Sequence, residues 1–209
     1  MHARRCLTRF GNERLMLTTG SVRGAHSYVK SYRLIGGGRG TSRCGKAWKG
    51  SSLVTEDGYE METDTPTPMG GSGRAPQPVQ LVLTALAGCE QATARFVARH
   101  CRPRINIAHI EFDIQGERDQ RGAVTLPLDI EELPAPARLM RIWGTAVVFG
   151  SDASEQQVHL LGDEVHRRCP VANMISLSGC ELSIDWRLAS PEEEAAWSGK
   201  DEAQQHASS

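Results

Sequence analysis

Two cysteines far apart in the chain are the residues best suited to chemistry. Cys89 ends the run PMGGSGRAPQPVQLVLTALAGC, in which a glycine-rich turn leads through two prolines into an apolar helix. Cys169 lies in RRCPVANMI, at the junction of two expected helical segments. A cysteine on a water-poor helix face stays inert unless a partner activates or oxidises it. Because Cys169 is the obvious candidate partner, we predict that the pair forms a redox dithiol.

The two thiols differ in what their local sequence offers. Cys89 should lie about three turns inside its helix, where the helix dipole has faded, so side chains would have to activate it. Pro170 can occupy the first position of the helix after Cys169, which would place that thiol near free amide groups and lower its pKa. A low-pKa thiol leaves readily from a disulfide, which suits recycling. Taken alone, each cysteine is more typical of a structural residue than of a catalytic one.

The same motifs resemble those of a known family. The run GG-x-G-x-x-P-x-P-V-x-L-x-L-x-A-L-A-G-C and the later C-P-V are similar to the OsmC/Ohr family of osmotically inducible and organic-hydroperoxide-resistance proteins, over residues 28–188. The resemblance implies that Cys89 attacks the peroxide and that Cys169 forms a disulfide with it. It also implies an intertwined homodimer with active sites at the subunit interface, and no metal, flavin or nucleotide cofactor.

One feature departs from the pattern of that family. Hydroperoxide-reducing members carry a glutamate just after the second proline of the loop, paired with an arginine from an N-terminal strand. The matching position here is Val79 or Gln80, and neither side chain is ionisable. The cations that could replace the missing pair are basic residues upstream of the helix: Arg43, Lys46, Lys49 and Arg74. The sequence therefore leaves open which side chain activates the dithiol.

The leading interpretation is a cysteine peroxidase that reduces alkyl or lipid hydroperoxides and is recycled by an external thiol or dithiol. The apolar residues around Cys89 favour organic hydroperoxides over hydrogen peroxide. One alternative is a binding protein that keeps the fold and pocket without peroxidase chemistry, which the absent glutamate favours. The other is a redox sensor or thiol-transfer protein, in which the Cys89–Cys169 disulfide is itself the signal.

Composition excludes several other classes of protein. A formal net charge of −1 gives no electrostatic reason to expect nucleic acid or an anionic membrane as partner. No apolar run is long enough to span a bilayer. The six cysteines form no C-x-x-C pair, which argues against a zinc ribbon or a thioredoxin-type motif. A metal site of Cys89, His166 and Cys169 is disfavoured because His166 is typical of a solvated cation at a helix end. Glu90 is expected to face polar loops.

The chain is expected to divide into three regions. Residues 1–27 are basic and poor in acids, which is typical of a mitochondrial transit peptide or of a disordered extension. A cytoplasmic or mitochondrial location follows. Residues 28–189 should form one OsmC-like domain, and residues 190–209 a polar tail that is disordered or loosely helical.

The order of elements predicts an α+β fold. The resemblance implies its OsmC-like form, with antiparallel sheets packed on a long central helix. Hydrophobic periodicity and turn residues predict these elements: a strand over 32–35 that ends at the triple glycine, a strand over 44–48, a hairpin across Asp57-Gly58, a helix over 79–100 with Cys89 on its buried stripe, a second hairpin pairing 108–114 with 124–130, a strand over 138–149, helices over about 152–168 and 174–177, and a strand over 181–188.

Overall fold

The computed structural model describes residues 34–38, 51–55 and 57–197. In chain order the elements are β1 (Leu34–Gly38), β2 (Ser51–Thr55), β3 (Glu60–Thr63), α1 (Pro78–His100), β4 (His109–Glu117), α2 (Arg121–Val124), β5 (Arg141–Phe149), α3 (Glu155–Arg168), α4 (Pro170–Leu177) and β6 (Glu181–Leu188). Residues 67–69 form one turn of 3-10 helix, and residues 191–197 are helical. The architecture is mixed α/β, with three-stranded sheets and helices.

The first sheet is antiparallel, in the order β1-β2-β3. The hairpin expected at Asp57-Gly58 is confirmed: β2 and β3 flank it, and Gly58 has a φ of 85°, which glycine adopts without steric cost. Strand β1 ends at Gly38, within the triple glycine, as expected, and it runs through residues 36–38. Backbone pairing with β2 needs no side chains, which is why glycines can continue the ladder. The strand expected over 44–48 lies outside the described residues.

The second sheet has the order β4-β5-β6 and is not purely antiparallel. Strand β4 pairs antiparallel with β5, whereas β6 pairs parallel with β5. The expectation of antiparallel sheets is therefore wrong for this pair. The chain between β5 and β6 contains α3 and α4, and a helical crossover of this kind returns the chain to the end from which it started.

The second predicted hairpin is also wrong, because β4 pairs with β5 rather than with residues 124–130. Those residues form no strand, and Leu126 and Leu128 are 74% and 91% exposed. Pro127 has no N–H to donate to a ladder. Strand β5 offers a better partner because its last four residues are all buried, which suits the middle strand of a sheet that is covered on both faces.

Helix α1 contacts α3, α4 and β4, and its two halves pack into different apolar clusters. The C-terminal half contributes Ala94 and Val97, and its C-cap Cys101 joins them in a core cluster that includes Leu161 and Trp186. The N-terminal half contributes Leu86 to the cluster around Cys169. The predicted helix over 79–100 is confirmed, with its start one residue earlier. The residues that need precise placement therefore lie on one rigid element.

Helix α3 begins at Glu155, about three residues after the start expected near residue 152. Ser154 is the N-cap, its Oγ accepts a hydrogen bond from the N–H of Gln157 at 3.3 Å, and the Gln157 side chain accepts from the N–H of Ser154 at 2.8 Å. This reciprocal capping box satisfies two amide groups at the start of the helix. The expected strand over 181–188 is also confirmed as β6.

The chain beyond β6 folds back on the second sheet. The indole ring of Trp197 stacks on the His109 imidazole with ring centroids 6.0 Å apart, and Glu193 forms an ion pair with Arg187 at 2.7 Å. Of the tail that the sequence predicts as disordered or loosely helical over 190–209, residues 191–197 are helical. The proposed boundaries of the domain stay predictions. Among the described helices, none has the length and apolar character that crossing a bilayer requires.

Candidate functional site

Cys89 lies near the middle of α1, on a helix whose start is well capped. Gln77 is the N-cap, Pro78 occupies the first helical position, and the Gln80 side chain accepts a hydrogen bond from the N–H of Gln77 at 2.8 Å. The Cys89 side chain is half-buried, and its carbonyl oxygen accepts a hydrogen bond from Thr93 Oγ1 at 2.8 Å. The thiol is thus held on a regular helix, as the sequence predicts, but is more accessible than a core residue.

Cys169 lies between α3 and α4 and forms hydrogen bonds with both helices. Its N–H donates to the carbonyl of Val165 at 2.8 Å, which closes α3, and its carbonyl accepts from the N–H of Asn173 at 3.0 Å. Its Sγ accepts a hydrogen bond from the N–H of Ala172 at 3.4 Å as the N-cap of α4. Pro170 occupies the first position of α4, as expected. Backbone hydrogen bonds with the residues before and after Cys169 therefore fix the position of its sulfur.

The structure brings the two thiols together. Both belong to one apolar cluster. Burial raises the pKa of the Cys169 thiol to about 11; the N–H of Ala172 opposes this rise, while the neighbouring Cys89 thiol adds to it. The prediction that helix amides give Cys169 a low pKa is therefore wrong, because loss of water outweighs one long N–H···S contact. The two sulfurs are not bonded to each other in this structure. Their redox role stays a prediction.

Apolar side chains surround this pair, and we call them the thiol cluster. Its fully or largely buried members are Leu86, Ile142, Cys169, Ala172, Ile175 and Cys180, and its half-buried members are Leu83, Cys89, Ile114, Leu139, Val171 and Leu182. They come from α1, α4 and the second sheet. The surroundings of Cys89 are accordingly apolar, as the sequence predicts, and favour an apolar group next to the sulfur.

Arg138 is a cation at the border of the thiol cluster that the sequence analysis missed. Its Nη1 donates to the carbonyl of Leu139 at 3.3 Å. Burial raises the pKa of the Cys180 thiol, and the charge of Arg138 opposes that rise. The signal was weak because Arg138 lies in a proline-rich loop just before β5, remote in sequence from both cysteines.

The positions that match the missing Glu–Arg pair have other tasks here. Gln80 caps α1, and Val79 is half-buried. Arg74 is exposed, and the N–H of its backbone donates to Asp64. The remaining upstream candidates, Arg43, Lys46 and Lys49, lie outside the described residues.

The loop before α1 is organised by Asp64, a buried carboxylate that the sequence analysis did not single out. It accepts hydrogen bonds from the N–H groups of Thr65, Ser72 and Arg74 and from Ser72 Oγ, at 2.6 to 3.3 Å. The Ser72 hydroxyl and these N–H groups lower the pKa of Asp64 to about 2. Gly71 is required because a Cβ there would overlap the carbonyl oxygen of Thr65. The loop is therefore a defined structure that leads into α1.

Glu90 is a buried carboxyl group at the site that the sequence does not predict. It follows Cys89 directly, and the expectation that it faces polar loops is wrong, because it is completely buried. Neither carboxylate oxygen has a hydrogen-bond partner among the described residues. Desolvation raises the pKa of Glu90 to about 7. A glutamate on a helix is usually solvated, so the sequence carried no signal of this burial.

Glu90 lies at the floor of a cleft of about 320 Å³ between α1, α3 and β6. The titratable groups that line the cleft with it are His159, Asp163 and His166 from α3 and Asp185 from β6. The expectation that His166 is a solvated helix-end residue agrees with its place in the last turn of α3, where it is half-buried. Throughout residues 34–38, 51–55 and 57–197, no three His, Cys, Asp or Glu side chains are placed to hold a metal ion together.

Comparison with known proteins agrees with this fold. The family model for OsmC-like proteins matches residues 71–185. An OsmC-like protein from Mycoplasma pneumoniae is 21% identical, with 77% of this chain and 99% of that one covered and a TM-score of 0.56. An OsmC-like protein of unknown function from Vibrio cholerae has a TM-score of 0.59 at 10% identity, with coverage of 77% and 100%.

A third solved structure is an organic hydroperoxide resistance protein from Elizabethkingia anophelis, with bound thiocyanate. It is 16% identical, with 76% of this chain and 98% of that one covered and a TM-score of 0.53. No curated protein matches. At these identities the solved structures share the fold, and the family model covers more than half of the chain. This protein therefore belongs to the OsmC-like family.

Proposed function

We propose that the protein is a thiol-dependent peroxidase that reduces organic hydroperoxides through a Cys89/Cys169 dithiol–disulfide cycle. The observation that carries the proposal is that these two thiols, which come from distant parts of the chain, pack in one apolar cluster. Membership of the OsmC-like family supports it, and one relative with this fold is an organic hydroperoxide resistance protein.

The cycle has three balanced steps. The Cys89 thiolate attacks the terminal oxygen of the hydroperoxide, the O–O bond breaks, and the alcohol leaves with a proton, so that Cys89 becomes a sulfenic acid. The Cys169 sulfur then attacks the sulfenic sulfur, which forms the disulfide and releases water. An external thiol or dithiol supplies two electrons and two protons that restore both thiols.

Accessibility supports this division of roles. Cys89 is half-buried, so a substrate can reach it, whereas Cys169 is 0% exposed and contacts only neighbouring residues of the protein. The apolar thiol cluster favours an alkyl or lipid hydroperoxide over hydrogen peroxide, because a bulky apolar group gains contacts there that hydrogen peroxide lacks.

The cation that we propose for activating the thiols is Arg138. It is the arginine whose charge acts on the thiol cluster through Cys180, and its guanidinium is held by the Leu139 carbonyl. A guanidinium favours a thiolate over a thiol and stabilises negative charge that develops on the leaving oxygen. Arg74 is the other described candidate.

One observation favours a second function, a redox sensor in which the Cys89–Cys169 disulfide is itself the signal. The high pKa of Cys169 makes its thiolate a poor leaving group when a reductant attacks the Cys89 sulfur of the disulfide. A disulfide that forms quickly and is reduced slowly suits a signal better than a cycle. The absence of an ionisable residue at Val79 and Gln80 favours the other alternative, a binding protein without peroxidase chemistry.

We also propose that the protein acts as a homodimer. Exposed leucines on α4 and in the loop before β5 support this, since Leu177 is 87% and Leu128 is 91% exposed. The three-region organisation (1–27, 28–189 and 190–209) and a cytoplasmic or mitochondrial location remain part of the proposal. Mass measurement of the chain recovered from cells would test whether residues 1–27 are removed.

The test is turnover of cumene hydroperoxide and hydrogen peroxide with a dithiol reductant. Cys89→Ser should abolish turnover, and Cys169→Ser should leave one oxidation equivalent without a disulfide. Cys101→Ser is the matched control because this buried thiol belongs to the other core cluster. Arg138→Gln should lower kcat/KM by roughly 10- to 100-fold, whereas Arg74→Gln should have little effect.

The outcomes separate the two functions. Multiple turnover with the organic peroxide that depends on Cys89 supports the peroxidase. A disulfide that forms once and persists in the presence of dithiol supports the sensor. If both thiols remain free after peroxide treatment, neither proposal holds, and the fold serves a different role.

A further inference from the structure

A concave site at the C-terminal end of α1 carries three arginines. It has a volume of about 360 Å³ and lies between the last turns of α1, the loop that follows and Gly150 at the end of β5. We call it the arginine pocket, and the lining residues used below are Arg95, Ala98, Arg99, Arg104, Ile105 and Ile107. The three arginines are exposed, and Ala98 and Ile105 are buried beneath them.

Two of the guanidinium groups are held in place by backbone carbonyls. Arg95 Nη2 donates to the carbonyl of Ala108 at 3.3 Å, and Arg99 Nε donates to the carbonyl of Arg95 at 3.0 Å. Each bond uses one N–H and leaves the other donors of the fork available. Arginines fixed in this way lose less conformational entropy when they bind a ligand.

Acidic partners for these charges are missing in the part of the chain that the structure describes. The pocket is lined by no Asp or Glu, and none of its arginines forms an ion pair with a described carboxylate. The two acids that contact its border are occupied. Asp152 accepts from the N–H and Nδ2 of Asn106, and Glu194 accepts from the N–H of Gly150 at 2.8 Å. Three like charges therefore share one cavity.

Helix stabilisation explains only part of this arrangement. A cation in the last turn of a helix interacts favourably with the helix dipole, which accounts for Arg99. Arg95 lies more than a turn inside the helix, and Arg104 lies beyond its C-cap, Cys101. Like charges four residues apart on a helix, such as Arg95 and Arg99, repel each other.

We propose that the arginine pocket binds a small organic oxyanion, a carboxylate or phosphate group joined to a short apolar body. Guanidinium groups bind both oxyanions through paired N–H donors. The floor formed by Ala98, Ile105 and Ile107 would contact the apolar body of such a ligand. The concave shape and the net charge of −1 favour a small anion over a polyanion.

This site is separate from the thiols and does not depend on the proposed peroxidase activity. Ala98 and Ile105 belong to the core cluster at the C-terminal half of α1, whereas Cys89 belongs to the thiol cluster at the other half. A chain without peroxidase turnover would still bind the anion.

The test is calorimetric titration of the full chain at low ionic strength with hexanoate, hexyl phosphate, inorganic phosphate and hexanol. We expect saturable binding of at least one of the two organic anions, and the pair distinguishes a carboxylate from a phosphate ligand. Arg95→Gln and Arg104→Gln should each weaken binding roughly tenfold, as for loss of one charge-assisted hydrogen bond. Higher salt should weaken it further.

Arg102→Gln is the matched control. Arg102 lies in the same loop and its Nη1 donates to the carbonyl of Cys101, but it does not line the pocket. Amide chemical shifts should change at residues 95–108 when the anion binds. The proposal is overturned if neither organic anion binds, if Arg104→Gln behaves like Arg102→Gln, if the shifts map elsewhere, or if inorganic phosphate or hexanol binds as tightly as the organic anions.

Discussion

Replacing Glu90 with glutamine should make the protein more stable at and above neutral pH. The carboxyl group is completely buried with no hydrogen-bond partner among the described residues, and desolvation raises its pKa from 4.5 to about 7. The folded state therefore keeps the proton between these two pH values, while the unfolded chain releases it. The contribution of Glu90 to stability is full below pH 4.5 and is lost as the pH rises to about 7.

The size of the loss in stability follows from the difference between the pKa of Glu90 in the unfolded chain and its pKa in the folded protein. Each pH unit between 4.5 and 7 lowers the free energy of unfolding by about 1.4 kcal/mol, so the whole window is worth about 3 kcal/mol. Glutamine has the same shape and never ionises, so Glu90→Gln escapes the penalty. The stability difference between variant and wild type should thus grow by about 3 kcal/mol from pH 4.5 to pH 8.

The assay is urea denaturation of both proteins at several pH values and one protein concentration, with NMR titration of the Glu90 carboxyl carbon as a direct check. Glu131→Gln serves as the control because Glu131 is exposed. His159, Asp163, His166 and Asp185 line the same cleft and are present in both proteins. A stability difference that is independent of pH, or a Glu90 midpoint near 4.5, would refute the reasoning.

Three further predictions concern the elements that position the site. Gly162→Ala should destabilise the protein, since its Cβ would lie 2.6 Å from the Trp186 ring and overpacking costs ~1–3 kcal/mol. Gly88→Ala should instead stabilise α1 by about 1 kcal/mol, because no atom lies within 4 Å of the added Cβ. Equal urea midpoints for the two variants would contradict this. Ser154→Ala should cost about 1 kcal/mol in the same assay through loss of the α3 cap; a smaller loss than for an exposed serine elsewhere would argue against it. Asp64→Asn should speed amide exchange in the loop before α1. In the wild type the amides of this loop should be protected from exchange above pH 3.8 and should lose that protection as the pH falls to about 2. If the protection survives either the substitution or the acid, the carboxylate does not hold the loop.

Much of the fold could be predicted from local patterns. The capping residues and apolar periodicity of α1 and α3 lie within the helices themselves, and the turn at Asp57-Gly58 needs only the φ preference of glycine. The pairing of β4 does not follow from local patterns, because residues 124–130 alternate like a strand without forming one. Pairing depends on which segment is buried on both faces, and that is a property of the whole sheet.

The sequence by itself determined the two cysteines, the family to which the chain belongs and the elements that carry Cys89 and Cys169. Only the tertiary structure decided their environment. It brought the two thiols into contact, raised the pKa of Cys169, buried Glu90 and placed Arg138 beside the thiol cluster. The physical reason is that secondary structure follows from neighbours along the chain, whereas desolvation and charge contacts depend on segments that meet only after folding.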